Sequence, residues 1–253
     1  MSHDNSTDTG AQIERLRSEY GALLQRLEAN QQDFYRLARS VFRVQEDERR
    51  RLARDLHDGI GQNLTALKHH LALLRDALPP EQAQARARAE TAAALCAQTL
   101  DETRQLSRLL RPQVLDDLGL EAALRWLART LGEAGGVRCE IQADELPTLE
   151  GDLQTLAFRV AQEALTNVVK HARASHAWIR AEVRAGWLWI EVDDDGQGCP
   201  PESIRSGIGS GVGGMRERVR LHGGRFALSP RPGGGSRVQA AVPLDGNAVT
   251  AQD

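Results

Sequence analysis

The sequence predicts an α+β protein of several domains, in which a coiled coil and a dimeric four-helix bundle precede an α/β sandwich domain. Three observations predict it: a heptad seam in the first helix, a wider apolar stripe in the helices that follow, and an alternation of strands and helices after Pro112. The chain of 253 residues suffices for one large or two small domains. The expected segments are residues 1–45, 46–112 and 113–246, with a tail at 247–253.

The first helix follows a polar start that we expect to be disordered to about residue 11. Nine of its ten seam positions are apolar, and Asn30, the exception, is of the type that fixes register and oligomeric state. One long surface helix of a monomer is the alternative. We favour a dimeric coiled coil, because little nearby sequence could cover so long a stripe. The ten positions are Ile13, Leu16, Tyr20, Leu23, Leu27, Asn30, Phe34, Leu37, Val41 and Val44.

The stripe then widens and continues to a helix break at "LPPEQ" (78–82), and a second helix at about 83–111 stops at Pro112. A stripe of this width favours a four-helix bundle over a two-stranded coil. Because two antiparallel helices bury too little surface alone, we expect two copies of the chain to form the bundle. The stripe consists of Leu52, Leu56, Ile60, Leu64, Leu67, Leu71, Leu74 and Leu78.

Beyond Pro112 the sequence predicts a linker and a helix that ends at Gly135 and Gly136. A strand ("VRCEIQA"), a helix ("GDLQTLAFRVAQEALTNVVKHA") and a hairpin around Ala185 and Gly186 follow. A glycine-led helix ("GVGGMRERVRLHGG") and a second hairpin ("RFALSPRPGGGSRVQAAVPL") complete the domain. The expected architecture is one sheet covered by helices.

Two glycine-rich stretches of this domain are candidates for binding an anion. "DDDGQG" (193–198) ends a strand in a turn, and "GSGVGG" (209–214) leads into a helix whose N-terminal amides favour negative charge. Taken alone, the first is equally well an ordinary acidic turn and the second a flexible loop.

A third stretch, "QEALTNVVKHA" (162–172), makes the anion-binding interpretation stronger. Helical spacing places Glu163, Asn167, Lys170 and His171 on one face. A carboxylate and an amide suit hydrated Mg²⁺, and a lysine suits phosphate. A solvated helix face is the ordinary explanation, but it is less apt beside two glycine-rich turns.

Together these stretches resemble the motifs of a known family. "EALTNVVKHA", "DDDGQG", "GSGVGGMRERV" and "GGGSRV" are similar to the N, G1 and G2 elements and the final strand of a GHKL-type (Bergerat-type) ATPase domain. "ERRRLARDLHDGIGQNLT" resembles the phosphoacceptor box of sensor histidine kinases that partner LuxR-like response regulators. "LLRPQVLDDLGLEAAL" is similar to the segment that joins the two domains in that subfamily. The resemblance covers about residues 46–244, with the motifs in the expected order.

The resemblance implies roles for individual residues. His57 would be the phosphorylated histidine, Asp58 the acid that orients it and takes its proton, and Gln62 the residue that places water for dephosphorylation. Glu163 would be the neighbouring acid of the N element, and Asn167 a ligand of Mg²⁺, so that Asn167 and Glu163 form the expected metal site.

The resemblance also implies an ATP site, in which Asp194 would accept a hydrogen bond from the adenine amine. Two departures, Cys199 where an aromatic residue often follows G1 and Ser236 where Thr is common, leave ATP binding expected. The short segment between G1 and G2 implies a small nucleotide lid. The expected ATP-binding residues are Asn167, Lys170, His171, Asp194, Gly196, Gly198, Gly209, Gly211, Gly214 and Ser236.

The seven histidines of the chain are not equivalent. With the apolar stripe facing the bundle, His57 lies about 100° round the helix from Leu56, at an edge that a second domain can reach. It also has an adjacent acid, which can hold one ring nitrogen while the other reacts. His69 and His70 lack that acid, and we expect them to be ordinary bundle histidines. His222 is expected to be a helix-end feature.

Composition argues against several classes of protein. The net charge of −3 gives no general affinity for nucleic acid or an anionic membrane. The basic run at 49–54 follows acids at salt-bridging spacing and has few aromatic neighbours. Cys96, Cys139 and Cys199 fit neither a disulfide nor a zinc pattern, which favours a reducing, cytoplasmic setting. No apolar run approaches the ~18 residues that cross a bilayer, and we find no signal-peptide core.

The sequence thus predicts a homodimeric histidine kinase that moves the γ-phosphoryl group of Mg-ATP to His57 and then to an aspartate of a LuxR-like response regulator. Net phosphatase activity on that regulator is one alternative, which Asp58 and Gln62 favour. A dimeric scaffold with a relict ATP site is another, against which Asn167 and Asp194 argue. The coiled coil is expected to receive an upstream sensor or partner.

Overall fold

A computed structural model describes residues 5–143, 146–199 and 211–244, with side chains from residue 14 onward. The chain divides into two compact units, Met1–Gln45 and Glu46–Asp253. Helix α1, Asn5–Arg54, contributes residues to both.

In the first unit, residues 5–11 are already part of α1, so the prediction of a disordered start to about residue 11 was too long. Its seam lies at the surface: the exposed fractions of the seam side chains run from 56% at Leu23 to 68% at Val44. The side chain of Ile13 lies outside the described residues. A row of exposed apolar side chains at heptad spacing is the pattern of a coiled coil. Pairing with a second copy stays a prediction.

The second unit begins with a helical hairpin. Two hydrogen bonds join its helices, from Ser107 Oγ to the carbonyl oxygen of Ala53 (2.8 Å) and from Cys96 Sγ to that of Leu64 (3.2 Å). An outer apolar stripe stays uncovered, with exposures of 41–64% at Leu52, Ile60, Leu67, Leu74, Leu95 and Leu106. The elements are a π-helical segment, Asp55–Gly61 (π1), and the helices α2, Gln62–Ala77, and α3, Ala83–Leu110.

Helix α4, Gln113–Gly135, joins the hairpin to the sheet domain. The prediction of a linker ahead of this helix was wrong for residues 113–118, which are helical. The helix is kinked at Gly119 instead, where φ is +81°.

Within the described ranges, the sheet has five strands in the order β1-β2-β3-β5-β4, in which β1 and β2 are parallel and the other neighbours antiparallel. Both predicted hairpins are present, the first turning at Ala185 and Gly186. The elements are β1, Arg138–Gln142; α5, Gly151–Asn167; a second π-helical segment, Val168–Ala172 (π2); β2, His176–Arg184; β3, Trp187–Asp194; α6, Gly211–Leu221; β4, Arg225–Pro230; and β5, Ser236–Pro243.

Alternate residues of the central strands, such as Ile179 and Ile190, are buried against Phe158 and Leu165 of α5 and Leu124 of α4. Every second side chain of these strands is apolar and points to the same sheet face. The apolar faces of α4 and α5 cover that face. The predicted class, long helices followed by an α/β sheet domain, is confirmed. No helix among the described residues has the length and hydropathy needed to span a bilayer.

Candidate functional site

His57 lies in π1 and is paired with the next residue. Its Nδ1 atom lies 2.8 Å from Oδ1 of Asp58, and 49% of its side chain is exposed. A carboxylate at Nδ1 favours the tautomer with the proton on that nitrogen and the lone pair on Nε2. This is the form in which an imidazole acts as a nucleophile.

The π-helical geometry around His57 was not predicted. The segment contains two glycines, Gly59 and Gly61, which favour the α-helix poorly. Gly61 is buried, and a Cβ atom there would lie 3.4 Å from the carbonyl oxygen of Leu56. Short π-helical insertions occur frequently at functional sites. His57 therefore lies in a wider turn between two regular helices.

Gln62 begins α2, directly after π1, and its side chain is exposed. His69 and His70 lie further along α2, also exposed, with their ring centroids 6.2 Å apart. Among the described residues, no carboxylate pairs with either of these rings. The distinction that the sequence drew between His57 and this pair is thus visible in their surroundings.

The four residues predicted to share one helix face are divided between two elements. Glu163 and Asn167 lie in α5 and are half-buried, whereas Lys170 and His171 lie in π2 and are exposed. The wider turn of π2 shifts the last two from the positions that a regular helix would give them. Such a shift leaves no signal in the spacing of apolar residues, so the sequence did not reveal it.

Glu163 lies directly against Gly211 of α6. A Cβ atom on Gly211 would fall 1.7 Å from Glu163 Oε1, so any side chain at this position would have to displace the Glu163 carboxylate. Gly196 contacts the other end of the N element, since a Cβ atom there would fall 2.2 Å from the carbonyl oxygen of Ala172.

Asp194 is buried, with 3% of its surface exposed, at the end of β3. Its Oδ1 accepts a hydrogen bond from the backbone amide of Gly196 (2.8 Å), and its Oδ2 accepts one from that of Ser236 (3.2 Å). Burial raises the pKa of Asp194, although these two amides oppose the rise. A carboxylate that is kept buried between two glycine-rich turns, with lone pairs to spare, is suited to accept a further hydrogen bond from a ligand.

Gln197, which the sequence analysis did not single out, joins π2 to the turn after β3. Its side-chain amide donates to the carbonyl oxygen of His171, and its backbone amide donates to that of Ala172, both at 2.9 Å. The end of the N element and the turn that contains Gly196 and Gly198 are therefore adjacent. The sequence could have suggested Gln197 only through its place between these two glycines.

The two aspartates beside Asp194 have other partners. Asp193 is buried and forms two hydrogen bonds with Arg237, at 2.8 and 2.7 Å. Asp195 accepts hydrogen bonds from the backbone amides of His176 and Ser175 and from the Ser175 hydroxyl. These bonds hold the pKa of Asp195 far below its ordinary value. Only Asp194 of the three aspartates lies between the glycine-rich turns.

The remaining predicted glycines differ in their surroundings. Gly198 adopts φ of +80° and lies next to Gly235. Gly214 lies within α6, and a Cβ atom there would meet nothing within 4 Å. Gly209 lies outside the described residues. His222, at the end of α6, makes a hydrogen bond through Nδ1 with the carbonyl oxygen of Arg218 (2.9 Å), as expected of a helix-end histidine.

The donor atoms fit a nucleotide-bound Mg²⁺ better than a metal held by protein alone. Among the described residues, no group of three or more His, Cys, Asp or Glu residues could hold a metal ion. Mg²⁺ usually takes one or two protein oxygens and fills its other positions with water and phosphate. The half-buried oxygen atoms of Glu163 and Asn167 meet that requirement.

Two family models match this chain. One, described as "Histidine kinase", matches residues 48–115, which include His57. The other, described as "Histidine kinase-, DNA gyrase B-, and HSP90-like ATPase", matches residues 152–246, which include the turns around Asp194. Between them they cover more than half of the chain, in the same order as the two parts of the second unit.

Curated relatives and a solved structure are similar to the chain. "Signal transduction histidine-protein kinase/phosphatase UhpB" of Salmonella typhimurium is 36% identical over 237 residues, which are 92% of this chain and 45% of that protein. "Sensor histidine kinase MctS" of Rhizobium johnstonii is 34% identical over 216 residues, 83% of this chain and 46% of that protein. The chain thus spans less than half the length of each. The histidine kinase domain of a blue-light activated histidine kinase from Erythrobacter litoralis is 23% identical, covers 72% of this chain and 94% of its own, and has a TM-score of 0.47.

Proposed function

The chain belongs to the histidine kinase family, and on that premise we propose that it transfers the γ-phosphoryl group of ATP to His57 and then to an aspartate of a response regulator. The observation that carries this proposal is the 2.8 Å contact between His57 Nδ1 and Asp58 on an exposed turn. It provides a nucleophile with its second ring nitrogen held, in the same chain as an ATPase domain.

In the first step the Nε2 lone pair attacks the γ-phosphorus. The bond from phosphorus to the bridging oxygen breaks, and ADP leaves with that electron pair. The imidazole becomes positively charged, and Asp58 stabilises the charge or takes the Nδ1 proton. In the second step a carboxylate oxygen of the regulator attacks the phosphorus, and the imidazole leaves. Both steps depend mainly on positioning and charge neutralisation.

The ATPase domain would bind the nucleotide through the residues around Asp194. Asp194 would accept from the adenine amine while the backbone amide of Ser236 holds the carboxylate in place. Mg²⁺, when bound, would neutralise phosphate charge. Asn167 and Glu163 would supply its protein oxygens, and Lys170 would meet phosphate as a point charge. Gly196, Gly198, Gly209, Gly211, Gly214 and His171 complete the proposed site.

Phosphatase activity toward the same regulator is a second candidate function. Asp58 and Gln62 are both exposed at neighbouring turns, where a docked regulator could meet them. An amide can donate to and accept from a water molecule that attacks an aspartyl phosphate. The name of the UhpB relative includes both activities, which makes this candidate worth testing here.

We further propose that the working form is a cytoplasmic homodimer, since ATP and response regulators are found there. The exposed seam of α1 and the uncovered stripe of the hairpin are the surfaces that a second copy would cover. The partner would be a response regulator with a LuxR-like DNA-binding domain. The first unit would receive an upstream sensor or partner.

Incubation with labelled ATP and Mg²⁺ tests the proposal. The chain should take up label that is lost in acid and stable in base, as expected of phosphohistidine. His57→Gln should abolish the label, whereas the matched controls His69→Gln and His70→Gln should keep it. Label that persists in His57→Gln would disprove the assignment. ATP binding with no label in any variant would favour the scaffold alternative.

A further inference from the structure

A buried ion pair fastens the ATPase domain to the base of the helical hairpin. Arg159 of α5 has a side chain that is 4% exposed. Its Nε atom donates to both carboxylate oxygens of Glu46 in α1 (2.9 and 3.0 Å), and its Nη2 atom donates to Oε2 (2.8 Å). The two residues are 113 positions apart in sequence. A paired, hydrogen-bonded guanidinium of this kind is a strong and directional contact.

The same arginine also contacts the second helix of the hairpin, α3, at the same base. Its Nη2 atom donates to the carbonyl oxygen of Leu110 at the end of α3 (2.6 Å), and its Nη1 atom donates to Gln162 (2.7 Å). Gln162 in turn donates to the carbonyl oxygen of Leu109 (2.9 Å). One face of α5 is therefore fixed to both helices at the base of the hairpin.

Glu46 is a critical member of this cluster because its neighbours are cationic. Arg49 lies 3.6 Å and Arg111 lies 3.9 Å from its carboxylate. Asp116 pairs with Arg111 at 2.7 Å and so is engaged elsewhere. Burial lowers the pKa of Arg159, and the carboxylate of Glu46 opposes that effect. Without Glu46, a buried guanidinium would face other arginines, which is strongly unfavourable.

The pair lies near the nucleotide site and far from His57. Glu163 follows Arg159 by one helical turn, a spacing of about 5–6 Å between Cβ atoms. Arg218 of α6 responds to both acids: burial and Arg49 lower its pKa, whereas Glu46 and Glu163 oppose the change. Through Arg159, which contacts Glu46 directly, the helix that carries Glu163 is tied to the Glu46 end of the hairpin. His57, in contrast, is eleven residues from Glu46, about 16 Å along the helix.

We propose that the Glu46–Arg159 pair is a latch that holds the ATPase domain at the base of the hairpin and must open before His57 is phosphorylated. The inference rests on the proposed function. Phosphoryl transfer needs reacting atoms within about 3–3.5 Å, and the latch ties the helix that carries Glu163 to Glu46, eleven residues along the hairpin from His57. In a two-fold dimer, His57 of the second copy would lie at the same level along the bundle as His57 of the first. The latch would therefore restrain phosphoryl transfer to either histidine, of the same chain or of the second copy.

Glu46→Gln tests the latch in the full chain, with Glu48→Gln as the matched control. Glu48 lies on the same helix, and its ion pair among the described residues is a local one, with Arg51 at 2.8 Å. Glu46→Gln should raise the initial rate of His57 labelling about fivefold or more, at the lower end of usual couplings between sites. The affinity for a non-hydrolysable ATP analogue should stay within about twofold. Glu48→Gln should change neither. An unchanged or lower labelling rate in Glu46→Gln, with analogue binding intact, overturns the latch.

Two further measurements keep the outcome interpretable. Arg159→Gln combined with Glu46→Gln should be no faster than the faster single variant, because residues that act as a pair are not additive. Hydrogen exchange of residues 107–118 should be faster in Glu46→Gln than in Glu48→Gln. If the wild-type chain takes up no label, the proposed function fails, and the exchange result alone decides whether the contact is a latch. Equal exchange in the two variants would then overturn it.

Discussion

Gly235 packs directly against Asp194: a Cβ atom on Gly235 would fall 1.9 Å from the carbonyl oxygen of Asp194 and 2.9 Å from its Oδ1. The loop between β4 and β5 thus holds the buried carboxylate in place from one side. Any side chain at residue 235 must displace the residue that we propose binds adenine.

Gly235→Ala should therefore weaken nucleotide binding. Gly233 is a matched control, since its φ of +91° is close to the +89° of Gly235, but a Cβ atom there would meet nothing within 4 Å. Alanine at either position costs about 1–2 kcal/mol of backbone strain, and only alanine at 235 also moves Asp194. Calorimetric titration with an ATP analogue measures the difference. Equal affinities in the two variants would show that Asp194 does not contact the nucleotide.

Asp194→Asn should weaken binding of the same analogue about tenfold or more, since hydrogen bonds to charged groups contribute about 1.5–3 kcal/mol. An asparagine amide would also face one of the backbone N–H groups that Asp194 now accepts from. Because burial raises the pKa of Asp194 above its ordinary 3.8, protonation should remove the acceptor at a higher pH than for an exposed aspartate. Wild-type affinity should fall as the pH is lowered through that range.

Asp195→Asn is the control for this prediction, since Asp195 caps the Ser175–His176 turn and lies beside the same strand end. It should leave the affinity and its pH dependence near wild type. A fall in affinity as large as that of Asp194→Asn would mean that the whole turn, and not one carboxylate, determines binding.

Asp58→Asn should slow the labelling of His57 about 10²-fold, within the range that general acid–base groups contribute. The asparagine amide carries no charge that could stabilise the imidazolium. It can also pair with either tautomer of the ring, so it does not hold the proton on Nδ1. Asp55→Asn is the control, because Asp55 is an exposed acid in the same π-helical segment. The measurement is the initial rate of acid-labile label at saturating ATP. Equal rates in the two variants would remove Asp58 from the mechanism.

Deletion of residues 1–44 should leave a dimer. The hairpin keeps its own uncovered stripe, with Ile60 48% and Leu95 64% exposed, and burial of such side chains contributes about 1.5–3 kcal/mol each. Glu46 and its partners remain in the truncated chain. Light scattering measures the mass. A monomer would show that the hairpin cannot associate by itself and that the seam of α1 is required.

The sequence predicted the helices, both hairpins and the layer architecture because each rests on a local period of apolar residues. It also predicted the pairing of basic residues with preceding acids, as in Arg49 with Glu46 and Arg51 with Glu48. It did not predict the π-helical segments, since a single shift in hydrogen bonding leaves the apolar pattern almost unchanged. The partnership of Glu46 with Arg159 was invisible for another reason. The two are 113 positions apart, and an acid just before a basic run resembles part of a solvated helix face.

Gln62→Ala should separate the two proposed activities. In the labelling of His57 the nucleophile is the imidazole, and Asp58 is the acid beside it, so an amide at the start of α2 is not needed. Removal of phosphate from a regulator uses water, which must be held in line with the aspartyl phosphate. An exposed amide can donate to and accept from that water.

Loss of this positioning group should slow phosphate release from a pre-phosphorylated regulator by up to about 10²-fold, as small misplacements do. His57 labelling should fall little in comparison. Asn63→Ala is the control, since Asn63 is the next exposed amide on α2. It lies about 100° further round the helix and so faces a different side from Gln62. It should affect neither reaction. If Gln62→Ala slows both reactions equally, Gln62 stabilises the hairpin, and the phosphatase candidate loses its main support.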